Sequence, residues 1–367
     1  MEPNLYLWLI PALPLLGATL HGFFGKCRSE RLVAAVAVGS VVLSFLSFLV
    51  ALRAFWLLGS SPHLESHFPW IAAADFQADF NFYLDPLSAV MALLITGGGL
   101  IVHVYAAGRM PRQGGYHRFF ARLNLFLFFL LTLVLGGNYL LLFVGWEGIG
   151  LCSSLLSSSY LRNPEAADAG KKSLLGTALS DFSLLVAVLL LYKQFYSLNF
   201  GEVLPAAARV PAETDAFGQL TWICLLLLLG AAGRLPDAMR GRMPVGALIH
   251  AAAMVAAGVY VIARSRALYV HAPLALLAVA VVAGIAALYA VQRYGFRFLH
   301  PLAAGATEVL WKGVDQWAID GAVNQVARRT RSLGQVARRL QSGNIRSYAG
   351  WVVLGAALLI GFMVVVA

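Results

Sequence analysis

The sequence predicts an all-α polytopic membrane protein with about ten transmembrane helices and, near its C-terminal end, an amphipathic helix lying along the membrane surface. Three observations carry this. Of 367 residues, 60% are hydrophobic and only 12% are charged, against roughly 25% charged in an ordinary soluble domain. The apolar residues gather in runs long enough to cross a hydrocarbon core of about 30 Å, which takes about 20 residues of helix. The basic residues, which give a net charge of +10, sit in alternate gaps between those runs and are not gathered on one face, so nucleic acid is not an expected partner.

The runs place spans at 5–24, 32–57, 84–108, 119–136, 138–160, 173–195, 217–233, 245–264, 270–291 and 350–366. The N-terminus, Met1-Glu2-Pro3-Asn4, lacks the positive region of a signal peptide, so the first run is expected to be retained as a span. Arg28 and Arg31, Arg109 to Arg122, and Arg234 to Arg242 mark three basic gaps. The gaps at 58–83 and 196–216 carry Glu65, Asp75, Asp79, Glu202, Glu213 and Asp215 instead. Basic short loops stay on the cytoplasmic side, which predicts a multi-pass protein with both termini outside. Residues 305–341 mix Val309, Trp317, Ile319 and Val323 with Lys312, Arg328, Arg329 and Arg338. That mixture suits an interfacial helix, and a solvated basic linker is the plainer alternative.

Cys27, Cys152 and Cys224 are too scattered for a disulfide framework or a zinc site. Neither a Walker loop nor a GxGxxG turn is present, and the helix ends show no iron–sulfur spacing. No cofactor or metal is expected on this chain, and the lipid bilayer is its first expected partner.

Ionisable groups within spans cost about 2.5–3.5 kcal/mol each on insertion scales, so those retained are functional candidates. Glu147 lies in the middle of the fifth span, in Gly145-Trp146-Glu147-Gly148, with no basic residue within a helical turn. A carboxyl held dry there can exchange a proton, or can stay protonated and bond a neighbouring helix. Asp181, two turns into the sixth span, suits a proton path or a packing hydrogen bond. His250 titrates in the physiological range when unperturbed, although a lone membrane histidine is more often a packing residue, and His103 is placed with the packing residues. Arg234, between Gly233 and Leu235-Pro236-Asp237, fits an interrupted helix lining an ion path or a plain loop.

Several stretches together resemble the antiporter-like membrane subunits of bacterial proton-translocating NADH:quinone oxidoreductase, respiratory complex I, and among them subunit L. They are Phe82 to Ser88, Gly145 to Ser153, Asn163 to Lys172, Leu235 to Met239, Ala247 to Tyr260 (ALIHAAAMVAAGVY), and the tail from Leu310 to Tyr348, which includes WKGVDQWAIDGAVN. The resemblance implies two inverted five-helix repeats followed by a lateral helix. It matches Glu147, His250 and Asp181 to members of a buried polar axis that relays protons. The implied organisation is an N-terminal helical unit at 1–110, a first five-helix repeat at 111–264, a span and linker at 265–304, the lateral helix at 305–341 and an anchor at 342–367. It further implies other membrane-arm subunits as partners, with NADH, flavin, iron–sulfur clusters and quinone held by partner subunits, in a bacterial inner membrane.

The departures are specific. Where the family has a lysine followed by about ten residues, only Arg234 stands between Gly233 and Leu235, and a guanidinium does not deprotonate in proteins. Thr177 and Ala178 replace an Asn-Arg pair, and a single span separates Arg264 from the tail, so the second repeat is expected to be missing. These departures leave room for a related cation/proton antiporter, membrane-bound hydrogenase or inorganic-carbon transporter subunit, or for a non-conducting scaffold.

Overall fold

Helix α4 (Tyr116–Leu135) is the post around which the N-terminal half is built. It reads YHRFFARLNLFLFFLLTLVL, apolar on nearly every side, and most of its side chains are buried, as expected of a helix wrapped by others. In the computed structural model, which describes residues 4–25, 29–73, 76–109, 115–159, 164–213, 218–233 and 244–290, α4 packs against α1 (Leu9–Phe24), α2 (Glu30–Leu57), α3 (Pro86–Arg109) and α5 (Tyr139–Ser159). Helix α6 (Pro164–Phe195) lies between α5 and α8 (Gln219–Gly233). The chain continues through α9 (Pro244–Arg264), the single turn α10 (Arg266–Tyr269) and α11 (Pro273–Ala290), and α7 (Phe200–Ala207) is a short helix between α6 and α8.

Five of these helices are long and apolar enough to cross a membrane: α2, α3, α4, α5 and the Ala178–Phe195 part of α6. The expected spans at 5–24, 217–233, 245–264 and 270–291 also coincide with helices. Along α2 and α3, Leu43, Leu46, Val50, Val90, Leu94 and Ile101 point outward, an apolar surface suited to lipid. The expected span at 350–366 and the expected lateral helix at 305–341 fall outside the described residues.

The expectation of a purely helical chain needs one correction. The gap at 58–83 holds an antiparallel hairpin, β1 (His63–Ala73) with β2 (Phe76–Leu84). Along β2 the side chains of Ala78, Phe82 and Leu84 are buried, the alternate positions of a strand with one face on a core.

The hairpin ties distant connections into one hydrogen-bonded rim. Asn138, just before α5, donates through Nδ2 to the Asp79 carbonyl at 2.8 Å and to Asn81 Oδ1 at 2.8 Å, and Asn81 Nδ2 donates to Asn199 Oδ1 at 3.1 Å. The Glu65 carboxylate accepts from the Leu5 and Leu7 amides at 2.5 and 2.8 Å, and Glu213 accepts from the Leu220 and Thr221 amides at the start of α8 at 2.6 and 2.9 Å. The Glu213 amide in turn donates to the His271 carbonyl at 2.9 Å. Two connections in this rim, 58–83 and 196–216, are the acidic gaps expected together on the side opposite the basic ones.

Asp85 anchors the rim. It caps α3 reciprocally: Oδ1 accepts from the Ser88 amide at 2.9 Å, while the Asp85 amide donates to Ser88 Oγ at 2.8 Å, with Pro86 at the first helical position. Its carboxylate also receives both terminal nitrogens of Arg264 at the end of α9, at 2.6 and 2.8 Å. Arg264 is buried, donates to the Tyr260 hydroxyl, and lies over the rings of Tyr83, Phe200 and Tyr260.

Candidate functional site

The glycines of Gly145-Trp146-Glu147-Gly148 set the position of the glutamate. A Cβ on Gly145 would come within 2.6 Å of the Leu133 backbone nitrogen, and one on Gly148 would overlap the Phe129 ring. Bare backbone at both places lets α5 lie directly on α4, the close approach that small residues permit between membrane helices. Trp146 and Glu147, between those two contacts, are then directed away from α4. The Trp146 side chain is buried and its Nε1 donates to Asp181 Oδ1 on α6 at 3.1 Å. Glu147 is half-buried, with its Oε1 fully enclosed.

The next interface repeats the device. On α8 a Cβ at Gly230 would meet Leu184 Cβ at 3.0 Å and the Ser180 carbonyl at 3.3 Å, and one at Gly233 would collide with Ser180. Helix α8 therefore rests on α6 beside Asp181. On the other side, a Cβ at Gly258 of α9 would lie 3.1 Å from the Ala231 carbonyl of α8, and Ser153 Oγ of α5 contacts Met254 Sδ of α9 at 3.8 Å. Helices α5, α6, α8 and α9 thus pack in one cluster, with the Trp146 indole of α5 bonded to Asp181 of α6 and Glu147 the next residue along α5.

Of the four residues singled out in the sequence, the structure places Glu147 and Asp181 on the helices of this cluster. The Asp181 carboxylate accepts from the Trp146 indole. His250 lies on α9, but its side chain is outside the described residues, as is Arg234, which follows the last described residue of α8. Trp146 was not singled out; its signal was its place beside a buried glutamate. The Asp85–Arg264 pair was also missed as a pair, because 179 positions separate its members. Among the described residues no group of three or more His, Cys, Asp or Glu side chains is arranged to hold a metal ion.

Membrane helices in tight glycine contact beside a partly enclosed carboxyl, with a hydrogen-bonded rim at one end, define a polytopic membrane protein. Residues 136–292 match the family described as NADH:quinone oxidoreductase/Mrp antiporter, transmembrane, and residues 70–120 match NADH-ubiquinone oxidoreductase (complex I), chain 5 N-terminus. The chain belongs to the antiporter-like membrane subunits of the complex I family and is subunit-L-like within it.

NADH-quinone oxidoreductase subunit L of Escherichia coli (strain K12) is 40% identical over 288 residues, 76% of this chain and 46% of the relative. The subunit L of Pseudomonas aeruginosa is 42% identical over 273 residues, 71% of this chain and 44% of the relative. The chain therefore spans a little under half the length of these curated relatives. Among solved structures, the Mrp complex from Dietzia sp. DQ12-45-1b aligns with a TM-score of 0.63 at 24% identity, over 78% of this chain and 31% of that chain. An archaeal membrane-bound sulfane sulfur reductase aligns with the same TM-score at 17% identity, over 78% of this chain and 46% of that one. These two likenesses concern the fold.

Proposed function

We propose that this chain is a membrane-arm subunit of a complex-I-type NADH:quinone oxidoreductase in a bacterial inner membrane, contributing to proton translocation driven by electron transfer in other subunits. NADH, flavin, iron–sulfur clusters and quinone belong to those partners. The basic gaps face the cytoplasm, and the hairpin rim faces the opposite side. The observation that carries this reading is Glu147: an acidic group on a membrane helix, with one carboxyl oxygen enclosed, next to the indole that binds Asp181. Enclosure of a carboxyl reduces the energy gap between its charged and neutral forms, which is what repeated proton uptake and release require.

The test is Glu147→Gln in the assembled complex, with protons pumped per electron as the readout. The amide keeps the shape and loses the exchangeable acid. The expected result is a subunit that still assembles with lowered pumping. Unchanged coupling refutes the conducting role and leaves a scaffold.

A further inference from the structure

Away from Glu147, four buried polar atoms between α1, α3 and α4 have no hydrogen-bond partner among the described residues: Nε2 of His21, Nε2 of His103, and both Oδ1 and Nδ2 of Asn124. The three residues are 3%, 1% and 0% exposed. Packing holds them in place. On α1, Gly17, His21 and Gly25 form one stripe at intervals of four. A Cβ on Gly17 would lie 2.6 Å from Asn124 Nδ2, and one on Gly25 would lie 2.6 Å from His117 Cβ. The stripe therefore runs antiparallel along α4, with His21 at a level between His117 and Asn124. His103 approaches from α3, its ring 6.2 Å from that of Phe120.

The chemistry of the group is specific. His103 Nδ1 is 2.7 Å from the Gly99 carbonyl. A carbonyl only accepts, so Nδ1 carries the hydrogen, and in the neutral ring Nε2 presents a lone pair. Asn124 adds one donor and one acceptor. A buried polar group left unmatched costs about 1–3 kcal/mol, and even with Asn124 in reach of His103 the remaining atoms would carry that cost if dry, against a domain's net stability of about 5–15 kcal/mol. Buried water removes such a penalty wherever two to four polar partners converge, and these atoms supply that number with both hydrogen-bonding polarities.

We propose that His21, Asn124 and His103 form an internal water-binding site, entered past half-buried His117 at the end of the bundle where α1 stops and α4 starts. Ser40 of α2 also lies at this place, its Oγ meeting Gly17 beside Asn124 Nδ2, and His117 of α4 lies against Gly25.

The test is water-edited solid-state NMR of the full chain, labelled with 15N-histidine, in its native membrane assembly. His21→Gln and His103→Gln provide the assignments. Early polarisation transfer from water to both imidazoles is expected. Asn124→Leu should remove most of the water transfer to His103. Absence of transfer in the unaltered protein overturns the site, as does a spectrum that Asn124→Leu leaves unchanged. If Asn124→Leu does not accumulate, the unaltered protein's spectrum decides alone.

Discussion

Replacing Asp85 with Ala should destabilise the chain more than any other single change on the hairpin-bearing face. The carboxylate is the two-pronged partner of Arg264, at 2.6 and 2.8 Å, and the Arg264 side chain is only 2% exposed. Breaking a buried pair by removing one partner costs about 3–5 kcal/mol, because the remaining charge is left uncompensated. Loss of the cap on the Ser88 amide adds about 1 kcal/mol. The expected loss is therefore about 4–6 kcal/mol, read as the shift in thermal unfolding of the purified protein in detergent and as reduced membrane yield. A second variant, Asp85→Asn with Arg264→Met, should recover most of the pair's share, since an apolar side chain of similar length leaves no buried charge. A loss below about 1 kcal/mol in Asp85→Ala, the range of exposed ion pairs, would refute this account. So would a double variant no better than the single one. The pH dependence has a definite sign. Burial pushes the Asp85 carboxyl up, but the hydrogen bond and charge of Arg264, with the bonds from Ser88, outweigh it and leave it below its ordinary value. Its stabilising contribution is thus complete above the unfolded carboxyl range, near pH 4, and fades as the pH falls through the lower folded value. Between pH 5 and 8 this pair should give a flat profile.

Three further outcomes follow from the packing. Gly145→Leu should cost at least about 1–3 kcal/mol by overpacking, because even its Cβ would press on the Leu133 backbone; thermal unfolding checks it, with Gly201→Ala, an open position, as the control. Glu65→Ala should free the segment before α1, since charge-assisted bonds to the Leu5 and Leu7 amides are worth about 1.5–3 kcal/mol each; faster deuterium exchange at those two amides is the readout. Trp146→Phe keeps the ring and removes the donor to Asp181, so a stability loss of about 1–2 kcal/mol is expected, together with a change in pumping if Asp181 belongs to the same polar network as Glu147.

The helices were legible where hydropathy and helix length coincide. The expected span 138–160 is α5 (Tyr139–Ser159), bounded at its start by Gly136, Gly137 and Asn138. The expected span at 173–195 begins late, because Pro164 to Lys172 is helical but polar, carrying Glu165, Asp168, Lys171 and Lys172. Hydropathy marks what crosses lipid and not where hydrogen bonding starts, although Pro164 at the first turn was a usable signal. The hairpin was passed over as an acidic gap, yet FQADFNFYL alternates apolar and polar residues at the period of a strand. Glu147 could be found because a charge inside an apolar run is conspicuous. His21 and Asn124 were not, since a neutral polar residue on a membrane helix looks ordinary until its neighbours are known. The Asp85–Arg264 bond joins residues that no local pattern relates.

The length of chain between Asp85 and Arg264 bears on biogenesis. Synthesis proceeds at about 5–20 residues per second, so the 179 positions between them correspond to roughly 10–35 seconds during which the carboxylate has emerged and its guanidinium has not been made. Over that interval the early helices are inserted without their clasp, and Arg264 reaches the rim late. Ribosome stalling before residue 264 should therefore yield a nascent bundle that is fully threaded but unlatched, open to proteases at the hairpin and closed once α9 is complete.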